Sequence, residues 1–117
     1  MKKEMPPDVK EILDCFVEGA KQILGEHLQK VILYGSYARG DYNESSDIDI
    51  MVLTDLNEVE IEKYKIKIVD YSWEIEWKRN FKIALSPLVK NIEKYNKRID
   101  VVPFYRNVHK EGVVWYG

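Results

Sequence analysis

Two short apolar runs constrain this chain more than any other feature: Lys30–Tyr34 (KVILY) and Asp47–Leu53 (DIDIMVL). Both are rich in β-branched residues, and the second alternates, so each reads as a strand. The first stops at Gly35-Ser36. The polar stretch Asp41–Ser46 reads as a loop that leads to the second, and Thr54-Asp55 ends it. A long helical pattern lies on either side. From Pro7 to about Gln29, Val9, Ile12, Leu13, Phe16, Val17, Ala20, Ile23, Leu24 and Leu28 recur at three- and four-residue steps. From Asn57 to about Arg79, Ile61, Tyr64, Ile68, Tyr71 and Ile75 make a second stripe, with Glu and Lys filling a solvated face.

The remaining third of the chain is less regular. Phe81–Val89 (FKIALSPLV) is a third strand candidate, in which Pro87 marks a bulge or an edge. Ile92–Lys97 reads as helix or loop. Ile99–Val102 stays open between a short strand and the lead-in to a last helix, Phe104–Lys110, which Gly112 caps. Val113–Tyr116 closes the chain as an apolar, strand-like tail. Trp73 and Trp77 stand four residues apart on one helix face, where core packing or a subunit contact explains them. Together with Trp115 they are candidates for a contact surface, toward a second copy or another protein. The expected fold is α/β (α+β): a small mixed β-sheet, two long helices packed on one face, and the edge around Gly35 open to solvent.

At 117 residues the chain is expected to be a single domain, and 45% hydrophobic with 32% charged residues is a soluble globular balance. Eighteen Lys and Arg against twenty Asp and Glu argue against strong nucleic-acid binding through bulk charge. No apolar run approaches the roughly 20 residues of a membrane span, and MKKEMPPDVKE lacks the pattern of a signal peptide. A cytoplasmic location is expected. Cys15 is the only cysteine, which excludes an intramolecular disulfide and a Cys-based zinc cluster. It is read as an inert, buried or half-buried thiol beside the first helical stripe. His27 and His109 have no second His or Cys at ligand spacing and read as structural.

The chemistry-bearing residues gather between the two apolar runs. In a strand, residues two apart point to one face, so Asp47 and Asp49 project side by side while Ile48 and Ile50 turn to the core. Parallel carboxylates repel unless a cation lies between them. Mg²⁺ prefers such hard oxygen ligands and is commonly completed by substrate phosphates. On the neighbouring strand, Gly35 removes a side chain where a phosphate must approach, and the N–H groups and hydroxyl of Ser36 can receive it. Arg39 is either a further phosphate contact or a surface ion pair. An anion cradle and a cation site on successive strands are together a polyphosphate-binding constellation.

The combined pattern G-S-x10-D-x-D, carried by Gly35–Asp49 (GSYARGDYNESSDID), resembles the nucleotidyltransferase superfamily typified by DNA polymerase β. More narrowly it is similar to the minimal nucleotidyltransferase (MNT) family of small prokaryotic proteins. The C-terminal Phe104-Tyr105-x-Asn107-Val108-x-x-Glu111-Gly112 also looks like the ending of many such domains. The resemblance implies Mg²⁺ held by Asp47 and Asp49, with Gly35, Ser36 and Arg39 on a nucleoside triphosphate such as ATP. An acceptor hydroxyl then attacks the α-phosphorus and pyrophosphate leaves. Similar proteins are paired with an all-helical HEPN-domain protein, often a toxin, which implies a HEPN-type partner and an antitoxin role. The alternative is a catalytically weak or inactive antitoxin that neutralises its toxin by binding.

One departure matters. The wider superfamily supplies a third carboxylate from a later strand, yet Phe81–Val89 contains no Asp or Glu, and its polar residues are Lys82 and Ser86. Asp100, in Arg98-Ile99-Asp100-Val101-Val102, is the substitute if that segment is the third catalytic strand. The chain is also too short for a separate acceptor-binding domain, so the acceptor is expected to be small or a docked protein.

Overall fold

A computed structural model of the chain describes residues 3–117. Helix α1 (Pro7–Leu24) starts on Pro6-Pro7, where a missing N–H costs little, and ends on Gly25, whose φ of +56° disfavours other residues. The expected run to Gln29 is therefore cut short. A single 3₁₀ turn, Gly25–His27, redirects the chain, and strand β1 (Leu28–Tyr34) already begins at Leu28. Helix α2 (Ser36–Arg39) is one turn, and strand β2 (Ile48–Thr54) follows the loop.

Helix α3 (Glu58–Lys78) starts at a capping box: the Glu60 N–H donates to Asn57 Oδ1 at 2.9 Å, and the Asn57 N–H to Glu60 Oε1 at 3.3 Å. Strand β3 (Leu85–Asn91) begins later than Phe81 because residues 79–83 turn, with Asn80 and Phe81 both at positive φ. Helices α4 (Ile92–Arg98) and α5 (Pro103–Glu111) then lead into strand β4 (Val113–Tyr116). The segment left open, Ile99–Val102, is the turn between α4 and α5 and not a strand.

The sheet order is β3-β2-β1-β4, with β1 antiparallel to both its neighbours and β2 parallel to β3. A parallel pair needs a crossover, which α3 supplies. Pro87, which cannot donate to a ladder, sits in β3 at the sheet edge, as expected.

The long helices α1 and α3 cover one face. There Phe16, Ile12, Leu13, Ile68, Leu33, Ile48, Ile50 and Val52 are fully buried. Each such large side chain contributes about 1.5–3 kcal/mol by leaving water. The other face is not bare: α4 and α5 place Tyr95 and Val108 over Ile32, Met51 and Leu53. Alternation along β2 thus feeds two cores, with Ile48, Ile50 and Val52 on one side and Met51 and Leu53 on the other.

The aromatic and thiol residues sort differently from expectation. Trp73 and Trp77 are 63% and 68% exposed, which removes the core reading for both. Trp115 is half-buried, and its Nε1 donates to Asp14 Oδ1 at 2.8 Å, so it is not part of an exposed patch. Cys15 is exposed and not buried, with its carbonyl accepting from the Tyr71 hydroxyl at 2.8 Å.

Candidate functional site

The end of β1 and the start of β2 meet at one end of the sheet, because the two strands are antiparallel. Gly35 follows β1 directly, with φ at +78°. A Cβ at this position would lie 2.2 Å from Asp49 Oδ2, so the backbone passes against the carboxylate with no room for a side chain. The turn of α2 presents its first N–H groups, which have no carbonyl partner within the helix. Its closure is complete: the N–H groups of Ala38 and Arg39 donate to the Gly35 carbonyl, and those of Gly40 and Asp41 to Ser36.

The loop between the motif halves is held by its own side chains. The Asn43 N–H donates to Ser46 Oγ at 2.9 Å, and the Ser45 N–H to Asn43 Oδ1 at 2.8 Å. Tyr42 stacks on buried Tyr37 with centroids 4.5 Å apart, and its hydroxyl donates to the Glu4 carbonyl. This packing delivers Asp47, exposed and just ahead of β2, to the half-buried Asp49 at its second position. Burial pushes the Asp49 carboxyl above the ordinary aspartate range, Asp47 adds to that, and Arg39 opposes it. The pair is a site of excess negative charge beside backbone donors. Two carboxylates, as hard oxygen donors, suit a divalent ion of the Mg²⁺ kind.

Arg39 reaches this edge, but its groups are engaged. Nε donates to Asp41 at 3.1 Å and Nη1 to Glu111 at 3.0 Å. Asp100 is exposed in the α4–α5 turn, and its carbonyl accepts from Arg106. The strand that was to carry it toward the site does not exist. Among the described residues, no group of three or more His, Cys, Asp and Glu could hold a metal ion, so Asp100 does not join Asp47 and Asp49.

Three residues of this edge escaped the sequence reading. Tyr34 is the register partner of Asp49, and its hydroxyl is pushed up to about 12, first by burial and then by Asp49. Ser86 is the β3 residue aligned with Asp49, so a hydroxyl stands on the strand where a third carboxylate was sought. Glu76 of α3 is half-buried near the start of β3; burial is the main cause that raises its carboxyl, the Leu85 backbone opposes it, and Asp47 adds to it. Only the register of the sheet reveals the first two. A cavity of about 500 Å³ lies elsewhere: Glu58, Lys65, Lys90, Lys94, Arg98 and Tyr105 help line it, and none of the motif residues does.

A mixed sheet with a glycine-serine turn after one strand and two aspartates at the start of the next is the arrangement that suggests a nucleotidyltransferase-type site. Residues 9–113 match the nucleotidyltransferase domain family, and the chain belongs to that family of nucleotidyl-transferring enzymes. It is 37% identical over 103 residues to a Methanocaldococcus jannaschii protein named "Putative protein adenylyltransferase MJ0604", covering 86% of this chain and 91% of that one. A second protein of that organism, named in the same way with the designation MJ0141, is 36% identical over 98 residues, covering 84% and 95%. Among solved structures, the mutant toxin-antitoxin MntA-HpeT is similar in fold, with a TM-score of 0.50 and 17% identity over 90% of this chain and 73% of that one.

Proposed function

We propose that this chain is a Mg²⁺-dependent adenylyltransferase that moves AMP from ATP to a hydroxyl of a HEPN-type partner protein, acting as its antitoxin in the cytoplasm. The observation that carries the reading is the close approach of the Gly35 backbone to the Asp49 carboxylate, which sets the glycine-serine turn beside the Asp47 and Asp49 segment. The relatives named as protein adenylyltransferases support the substrate class, and the toxin-antitoxin fold neighbour is compatible with the partner.

In this reading Asp47 and Asp49 hold Mg²⁺, which supplies charge neutralisation for the triphosphate and the developing oxyanions. Gly35 lets the turn pass against Asp49 and so sets it beside the metal ligands, and the Ser36 N–H and hydroxyl donate to the phosphates. Arg39 exchanges its bond with Asp41 for a phosphate oxygen while Glu111 keeps the guanidinium in place. The acceptor oxygen forms a bond to the α-phosphorus, the bond to pyrophosphate breaks, and the hydroxyl proton passes to water. Positioning and charge do the catalytic work. Asp100 has no part in it.

Ser86 favours a second reading. With a hydroxyl aligned to Asp49 on β3, the site lacks the carboxylate that would complete a second metal and draw off the acceptor proton. The chain would then bind nucleotide weakly and neutralise its partner by contact. One experiment separates the two. ATP labelled at the α-phosphate is incubated with Mg²⁺ and the proteins recovered on this chain, using wild type and the Asp47→Asn/Asp49→Asn variant. Label on a partner with wild type alone is the expected result. An unlabelled partner that both forms still protect overturns it in favour of neutralisation by binding.

A further inference from the structure

Helix α3 carries two apolar faces, and the fold uses only one. Ile61, Ile68, Ser72 and Ile75 are buried against the sheet and α1. On the opposite side of the same helix, Val59, Ile66, Trp73 and Trp77 are 73%, 65%, 63% and 68% exposed. Val59, Ile66 and Trp73 follow at seven-residue steps with Trp77 four further on, so they form one straight stripe. A helix apolar on both sides is normally covered on both sides. A row of exposed apolar residues with two tryptophans on one helix face is an interface pattern.

The charges beside the stripe identify what covers it. The adjoining ridge reads Lys63, Lys67, Asp70, Glu74, all exposed, basic in its first half and acidic in its second. In an antiparallel pair of helices related by a two-fold axis, each flank meets the same flank of its mate with the direction reversed. An axis passing between Ile68 and Val69 brings Lys63 opposite Glu74 and Lys67 opposite Asp70, each twice. The same axis puts Trp77 level with Val59, and Trp73 level with Ile66, to within two residues. Charge pairs and apolar layers therefore agree on one register. Parallel packing would bring this ridge against the other flank, where that complementarity is lost.

We propose that this chain forms a homodimer through α3, packed antiparallel on its own copy about that axis. At 21 residues, about 32 Å, the helix offers a long seam. Its C-terminal end leads to β3 beside Asp49, so the two catalytic edges lie at opposite ends of the dimer and both stay open. The inference does not depend on nucleotidyl transfer.

The test is sedimentation equilibrium across the micromolar range, with circular dichroism to check folding. Wild type is expected to dimerise, and Trp73→Glu to be monomeric. Lys63→Glu/Lys67→Glu makes the ridge wholly acidic, and Asp70→Lys/Glu74→Lys makes it wholly basic. Each is expected to weaken self-association by about tenfold or more, because four attractive pairs become repulsive. Mixed together, the two are expected to form a heterodimer, which no merely structural effect of either change would produce. The proposal is overturned by a monomeric wild type, by reversals that leave the wild-type dimer untouched, or by a Trp73→Glu chain that loses a different bound protein while wild type stays a monomer.

Discussion

At the scale of single residues, the proposed chemistry turns on Gly35 and Asp49. Gly35 has two reasons to be glycine: φ at +78°, and Asp49 Oδ2 at 2.2 Å from where a Cβ would stand. Gly35→Ala is expected to cost about 1–3 kcal/mol from the backbone conformation alone. It also displaces the carboxylate, so thermal melting should show a lower Tm and none of the stabilisation by Mg²⁺-ATP that is expected for wild type. Asp49 carries a pH signature. Its folded carboxyl is raised above the unfolded value, so the native state holds its proton longer than the unfolded chain. Its contribution to stability is therefore greatest below the ordinary aspartate range and falls as pH climbs through the raised value. Asp49→Asn is expected to flatten that fall and to raise the Tm of the nucleotide-free protein at neutral pH, while abolishing the shift from Mg²⁺-ATP. An unchanged Tm in the neutral range would mean that the pair is already compensated.

At the scale of elements, the helices and strands follow local rules, and their exceptions have local causes. α3 starts at Asn57 because side chain and backbone satisfy each other there with Glu60. Removing the cap by Asn57→Ala is expected to cost about 1 kcal/mol, read as a Tm lower by about 4 °C with nucleotide binding intact. Both long helices were legible because their buried residues recur at helical steps. The end of α1 was misread because Leu28 continues the stripe numerically while Gly25 has already turned the chain. The third strand was placed early for a similar reason: Phe81 and Ile83 are apolar, but Asn80 and Phe81 take left-handed backbone and the ladder starts at Leu85.

At the scale of the whole molecule, two cores share one sheet, and the larger lies under the long helices. Phe16 is fully buried there, 6.3 Å from the Tyr71 ring. Phe16→Ala is expected to cost about 3–5 kcal/mol, a large part of the about 5–15 kcal/mol that holds a typical domain. Urea unfolding should show it as a lower midpoint with an unchanged slope. A loss under about 1 kcal/mol would mean that the core collapses into the space. The smaller core, around Tyr95 and Val108, lies beneath α4 and α5 and holds the Glu111 end of α5 next to Arg39.

The residues proposed for the site could be picked out from the chain itself, since Gly35, Ser36, Asp47 and Asp49 sit within one turn and one loop of each other. Spacing along a strand and the freedom of glycine are local properties, and local properties survive without a fold. What surrounds them was not readable. Tyr34 and Ser86 became neighbours of Asp49 only through the register of an antiparallel and a parallel pair, and Asp100 was excluded because its segment turned out to be a bend. The same holds for α3: its stripes are periodic in the sequence, but only packing decided which one was buried and which was left exposed. Pairing across the sheet joins residues far apart in the chain, and that choice belongs to the tertiary structure.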